Sequence, residues 1–251
     1  MAKEIVKRGI RFLRKKQYEK AVETFKKAIE QNIDSPLVWN NLGLAYKSLG
    51  KYEDALKCFE KILNSEPKDE DALYNIGLVY NKLGKYKKAI ENYQDAIEIE
   101  PKDKYTQFNL GLAYLKIEKL QKAYESFQKA LEIDPNYIKA LGNMGLLYTK
   151  FGDHEKAIET FNKILHKNSK NGTAWYYLGV NHYNAGNYEK ASQAYQEAVK
   201  INPNHHQAWF NLGILHKSKG NTEEAIKCFQ NVLKINPNHQ KAADYLERLE
   251  K

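Results

Sequence analysis

Cysteine is scarce in this chain, proline and glycine are modest, and no long apolar run occurs. Two cysteines in 251 residues exclude a disulfide-stapled scaffold, which needs a dense and even set. Cys58 and Cys228 lie five 34-residue spacings apart in matching contexts (Lys57-Cys58-Phe59-Glu60 and Lys227-Cys228-Phe229-Gln230) and are expected as reduced, half-buried helix residues. Six prolines and 14 glycines exclude collagen-like and low-complexity chains. No apolar stretch approaches the roughly 18 residues that cross a bilayer. The N-terminal run lacks the apolar core and cleavage site of a secretory signal. A cytoplasmic location with no membrane contact is expected.

Catalytic signatures are missing as well. There is no glycine-rich phosphate loop, Gly-x-Ser-x-Gly, His-Glu-x-x-His or Cys-x-x-Cys. Neighbouring carboxylates such as Glu223 and Glu224 read as solvated surface. The expectation is a protein that is not an enzyme, with no cofactor and no small-molecule substrate.

What is present is a hydrophobic share of 42% with 28% charged residues, the balance of a chain that buries a core. Net charge is +9. Lys7, Arg8, Arg11, Arg14, Lys15 and Lys16 crowd one N-terminal segment. Such a cluster serves a nucleic-acid or acidic-membrane partner, or simply solvates a face, and the solvated face is the first reading.

A strict period dominates everything else. Glycine recurs at Gly9, Gly43, Gly77, Gly111, Gly145, Gly179 and Gly213, every 34 residues. Alanine keeps the same clock at Ala21, Ala55, Ala89, Ala123, Ala157, Ala191 and Ala225. Four residues later comes an aromatic: Phe25, Phe59, Tyr93, Phe127, Phe161, Tyr195 and Phe229. Seven repeats of 34 follow, 2–35, 36–69, 70–103, 104–137, 138–171, 172–205 and 206–239, with a closing helix over 240–251. Numbered 1 to 34 within a repeat, Gly at position 8 and Ala at position 20 let two helices cross closely. Aromatics at positions 11, 17 and 24 fill the space between them, as Tyr80, Tyr86 and Tyr93 do. Gly at position 15 ends the first helix, and Pro at position 32 ends the second.

Trp39-x-x-Leu42-Gly43-x-x-Tyr46, then Ala55-x-x-x-Phe59, then Pro67, resembles the tetratricopeptide repeat pattern, and the resemblance covers essentially the whole chain. It implies an all-α, right-handed α-solenoid of seven helix-turn-helix repeats plus a C-terminal capping helix. The first repeat departs at Ile5 and Ile33, the fourth at Glu118 and Leu120, and the fifth at Ser169, which puts local helix geometry there in question. In the capping helix Leu246 and Leu249 should face inward, with Asp244, Glu247, Arg248 and Glu250 outward.

The resemblance also implies a concave groove lined by first-helix positions 2, 5, 6, 9, 12 and 13. Position 6 carries Asn41, Asn75, Asn109, Asn143, Tyr177 and Asn211. A ladder of amides can clamp an extended backbone, or Asn-Leu-Gly is a common spelling of the repeat. Position 9 carries Ile10, Leu44, Leu78, Leu112, Leu146, Val180 and Ile214, an apolar stripe facing a partner or packing between first helices. Position 5 adds Tyr74, Phe108, Tyr176 and Phe210, and position 13 adds Lys82, Lys116 and Lys150. Together these suggest a protein partner, held as an extended peptide or helix that carries some acidic residues.

The carboxylate clamp of chaperone-binding relatives is absent, because position 5 is never Lys, position 9 never Asn and position 6 never Arg. His182 and His216, which replace the position-11 tyrosine, could take a metal but read first as packing rings. A basic helical-repeat nucleic-acid binder is the runner-up, though RNA-reading repeats lack this spelling. A regulatory or self-assembling subunit of a larger complex is a further alternative.

Overall fold

A computed structural model describes residues 2–250, in which fifteen α-helices occur and no strand. They form two compact units, Met1–Pro135 and Asn136–Lys251. Unit 1 holds α1 (Ala2–Arg14), α2 (Tyr18–Glu30), α3 (Pro36–Ser48), α4 (Tyr52–Ser65), α5 (Glu70–Lys82), α6 (Tyr86–Ile99), α7 (Lys104–Lys116) and α8 (Leu120–Ile133). Unit 2 holds α9 (Ile138–Phe151), α10 (His154–Lys167), α11 (Gly172–Asn184), α12 (Tyr188–Ile201), α13 (His206–Ser218), α14 (Thr222–Ile235) and α15 (Gln240–Leu249). From α3 onward the odd-numbered first helices start at 36, 70, 104, 138, 172, 206 and 240. The second helices start at 18, 52, 86, 120, 154, 188 and 222, so both sets keep one clock.

Each end of a first helix has a local cause. Position 34, directly before the helix, supplies the N-cap. Asp69 accepts the Ala72 N–H at 2.7 Å, Asp103 that of Thr106 at 2.8 Å, and Asn171 that of Ala174 at 3.0 Å. His205 and His239 do the same through Nδ1, toward Ala208 and Ala242. These contacts satisfy N–H groups that the helix itself leaves without acceptors. At the other end position 15 turns left-handed. Gly50 has φ of 73° and Gly84 of 72°, and the N–H of Lys51 reaches back to the Tyr46 carbonyl at 2.9 Å.

Lys16 and Glu118 stand where the other repeats have this glycine, and they adopt the same conformation, at φ of 57° and 59°. The Lys119 N–H closes on the Tyr114 carbonyl at 3.0 Å, so the turn keeps its form despite the departure in the fourth repeat. Proline is also less decisive than its position suggests. Helix α10 stops at Lys167 before Ser169, the place corresponding to Ser65 of α4 before Pro67. Helix α2, which lacks the proline too, ends at Glu30 with Asn32 left-handed at φ of 57°.

The helix pairs close through the 34-residue signature. All seven position-20 alanines are fully buried, and the position-24 rings are at most 2% exposed. In unit 1 a methyl added to Gly9, Gly43, Gly77 or Gly111 would meet the position-24 ring of its own pair at 2.5–2.7 Å. In unit 2 the corresponding distances are 2.6–2.9 Å, for Gly145, Gly179 and Gly213. No heavy atom fits at that separation, so glycine is required.

In α3, α5 and α7 of unit 1, and in α11 and α13 of unit 2, positions 3, 7 and 10 are buried beneath the preceding second helix, as with Val38, Leu42 and Ala45 in α3. In α1 these positions are Glu4, Arg8 and Arg11, all exposed, and the remaining cations of the basic cluster are exposed too. At the other terminus Leu246 and Leu249 pack against the Phe229 and Val232 core, while Asp244, Glu247, Arg248 and Glu250 face solvent. Cys58 and Cys228 are fully rather than half buried, because the neighbouring first helix covers that side of α4 and α14.

Because L residues resist the left-handed region and glycine does not, Glu118→Gly should raise stability by roughly 0.5–1 kcal/mol. A urea-unfolding midpoint that falls would show that the Glu118 side chain stabilises the turn.

Candidate functional site

At about 100° of rotation per residue, positions 2, 5, 6, 9, 12 and 13 fall within an arc of roughly 120° on a first helix. That arc lies away from the buried positions 3, 7 and 10. In unit 1 the arc is carried by α3, α5 and α7, and in unit 2 by α9, α11 and α13.

In unit 1 the amides at position 6 are oriented by their own helices. Asn41, Asn75 and Asn109 donate through Nδ2 to the carbonyls of Leu37, Asp71 and Tyr105, at 2.7, 2.9 and 2.8 Å. Asn109 also donates to the Tyr74 hydroxyl at 3.1 Å. Asn75 is buried, at 7% exposure, and its oxygen accepts from Lys47 Nζ at 2.7 Å. In unit 2 Asn143 donates to the Lys139 carbonyl at 2.9 Å, and Asn211 to the Tyr195 hydroxyl at 3.3 Å. Tyr177 instead stacks on Phe161, with centroids 5.6 Å apart. An amide has two N–H donors and one oxygen; Asn41, Asn75 and Asn143 use one donor in holding the group still, and Asn109 uses both. The ladder is therefore a set of pre-oriented amides, and the oxygen of Asn75 is already engaged.

Position 9 is neither fully buried nor free. Ile10, Leu44, Leu78, Leu112, Val180 and Ile214 are half-buried, and Leu146 is exposed. Position 5 serves packing as well as surface. Tyr74 tilts against Tyr93 at 6.1 Å, and Phe108, only 8% exposed, against Phe127 at 5.7 Å. In unit 2 Tyr176 meets His205 at 4.6 Å, and Phe210 meets His239 at 4.8 Å. Lys82 and Lys116 are exposed on unit 1 and Lys150 on unit 2.

The exposed large apolar side chains on this arc are Leu37, Tyr105, Leu146 and Tyr183, while Phe151, exposed at the end of α9, stands outside it. Three of those on the arc occupy positions 2 and 12, which belong to the expected groove set although no residue there was singled out. Their apolar character at groove positions was the available signal.

Lys47, at position 12 of α3, is the other residue missed. It reaches across to α5, and burial lowers its amine from 10.5 to about 8. Among the described residues no carboxylate lies within ion-pair distance of it. The other position-12 lysine, Lys217, is exposed and lies over the Tyr245 ring at 4.5 Å.

Other chemistry is thin. Among the described residues no three His, Cys, Asp or Glu side chains gather as metal ligands. Burial pushes the thiols of Cys58 and Cys228 up to about 12, which makes them poor nucleophiles. Two concavities lie beside the second helices, about 340 Å³ around Leu110 and Tyr114 in unit 1 and about 560 Å³ around Leu212 and His216 in unit 2. Apart from Pro203, which lines only the second, their linings occupy the same repeat positions, so they follow from how two pairs stack within a unit. No helix among the described residues is long and apolar enough to cross a membrane.

Models of the tetratricopeptide repeat match residues 36–69, 70–103, 105–137, 172–205 and 206–239, and further models described as TPR or tetratricopeptide repeat match 9–50 and 126–159. No curated protein matches the chain. Among solved structures it is similar to the C-terminal part of a TPR repeat-containing protein from Cytophaga hutchinsonii, at 18% identity and a TM-score of 0.81, over 96% of this chain and 99% of that one. It is similar to YrrB, described as a TPR protein with an unusual peptide-binding site, at 27% identity and a TM-score of 0.66, over 79% of this chain and 99% of that one. A third similar structure is the MamA protein, at 23% identity and a TM-score of 0.62, over 66% of this chain and 91% of that one.

Folding must desolvate the Lys47 ammonium, so the linkage has a definite sign. Between pH 8 and 10.5 the unfolded chain keeps a proton that the folded chain has lost, so wild-type stability gains with pH in that window. The melting temperature of Lys47→Met relative to wild type should therefore be most favourable below pH 8 and decline toward pH 10.5. A difference that stays flat over this range would mean that the amine is not desolvated.

Proposed function

Because the chain belongs to the tetratricopeptide repeat family, we propose that it holds an extended polypeptide on the exposed arc of its first helices. A protein-interaction role follows from the family itself; the location and the form of the ligand are our reading. So are the seven repeat windows with the closing helix 240–251, a non-enzymatic scaffold role and a cytoplasmic setting.

The observation that carries the reading is the coincidence, on one helical arc, of exposed apolar side chains with pre-oriented amides. Leu37 and Tyr105 share the arc with Asn41, Asn109, Leu44 and Leu112 in unit 1, and Leu146 and Tyr183 with Asn143 and Val180 in unit 2. Covering one such apolar side chain contributes roughly 1.5–3 kcal/mol before the costs of association. The remaining amide groups suit a peptide backbone, which offers one donor and one acceptor per residue. The peptide-binding site of YrrB, a protein 27% identical to this one, agrees with the reading. Lys82, Lys116 and Lys150 at the border favour a ligand with some acidic residues.

Site-specific photocrosslinking in living cells tests the location. A benzophenone side chain at Leu112, Leu146 or Ile214 should give discrete protein adducts, while one at Glu60 or Lys129 on the second helices should give none. Equal labelling from both sets, or labelling only from the second helices, would move the site elsewhere. Nucleic-acid adducts from the N-terminal cations would favour the polyanion alternative.

A further inference from the structure

Resting on the groove reading above, we propose that Lys47 is the point at which unit 1 reads a carboxylate of the bound polypeptide, with Asn75 aiming its ammonium from the neighbouring helix. The residue sits on the ligand-facing arc of α3 and is half-buried. An ammonium has three N–H donors, and Lys47 uses one, toward a neutral amide oxygen at 2.7 Å. Asn75 is fixed in turn by its bond to the Asp71 carbonyl and by burial, so the amine is held between α3 and α5. A surface lysine would swing into water; this one cannot do so without leaving Asn75.

A partly desolvated cation with no anion beside it destabilises the free protein. Its depressed amine, with desolvation as the cause, fits that picture. An arriving carboxylate removes the penalty and forms a charge-assisted bond, roughly twice as strong as a neutral one. The exposed Lys82 and Lys116 carry no such penalty, and salt screens them. Discrimination between acid and amide should therefore concentrate at Lys47. The other position-12 residues of unit 1, Leu13, Asn81 and Leu115, have no charge, so the acid is read at one place along the ligand. The chaperone-type clamp takes its lysine from position 5, which is never Lys here, whereas this lysine stands at position 12. The carboxylate is either an Asp or Glu side chain or the ligand's own C-terminus.

The test uses the full chain and an array of randomised twelve-residue peptides. Each peptide is printed with a free and an amidated C-terminus, and each acidic residue also as its Asn or Gln counterpart. Wild type should prefer acid over amide by about tenfold at one ligand position, as a hydrogen bond to a charged group implies. Lys47→Met should lose that preference while binding the amide versions as wild type does, which also reports that it is folded. Lys47→Arg and Lys61→Met, the latter on the exposed side of second helix α4, should keep the preference. A preference confined to free C-termini assigns the carboxylate to the chain end, and one that persists in amidated peptides assigns it to a side chain.

A preference that survives in Lys47→Met overturns the inference, as does peptide binding by wild type that ignores acid. Both results leave the groove reading intact. Failure of wild type to retain any peptide removes the groove reading, and this inference with it.

Discussion

The close approach of a glycine to an aromatic ring, repeated in every helix pair, is the constraint from which the remaining structure follows. A missing Cβ at position 8 lets the position-24 ring come close against the first helix, and in this chain any added methyl would overlap that ring. The contact fixes how near the two helices come and which way each is rotated about its axis. Position-20 alanine then closes the second helix against the first, at zero exposure in all seven pairs. Dispersion and burial contribute together here, since a fully buried ring forfeits contact energy for any gap that opens beside it.

Rotation is what connects this packing to function. With position 8 turned toward the ring and positions 3, 7 and 10 toward the preceding pair, positions 2, 5, 6, 9, 12 and 13 are left over. The leftover arc recurs in each pair, so whatever stands there is presented in register along a unit. Amides at position 6 are pinned by the carbonyl four residues back, and exposed Leu37, Tyr105, Leu146 and Tyr183 stand beside them. The helix-ending devices protect the register: left-handed turns recur at position 15, and side chains at position 34 cap α5, α7, α11, α13 and α15, though Ser35 and Tyr137 make no such bond.

Periodic features were legible in the sequence because each is enforced seven times. Gly at position 8, Ala at position 20 and the ring at position 24 announce helix pairs, and the whole helix plan follows from them. Features arising once, or from contacts between pairs, were not legible. Nothing in a local window tells that Lys47 meets Asn75 on the next first helix, because the partners are 28 residues apart and the contact depends on stacking. Phe108 looks like a groove anchor by position, yet it turns against Phe127, since an aromatic beside a large ring gains more from burial than from solvent. Glu118 at a glycine position suggested a different turn, yet it takes the left-handed conformation and the Lys119 N–H closes on the Tyr114 carbonyl as in the other repeats. The rings of His205 and His239 cap helices, a role that the sequence reading did not assign to them.

The central claim, that glycine and ring act as one unit, is tested most directly by a double-mutant cycle on Gly111 and Phe127 followed by urea unfolding. Gly111→Ala alone should destabilise by roughly 1–3 kcal/mol, although alanine is the better helix former. Phe127→Leu alone should destabilise as well, by leaving a void. Combined, the two should cost less than their sum by about 1 kcal/mol or more, because the shortened side chain admits the added methyl. Additivity within roughly 0.5 kcal/mol, or a stabilising Gly111→Ala, would contradict the account.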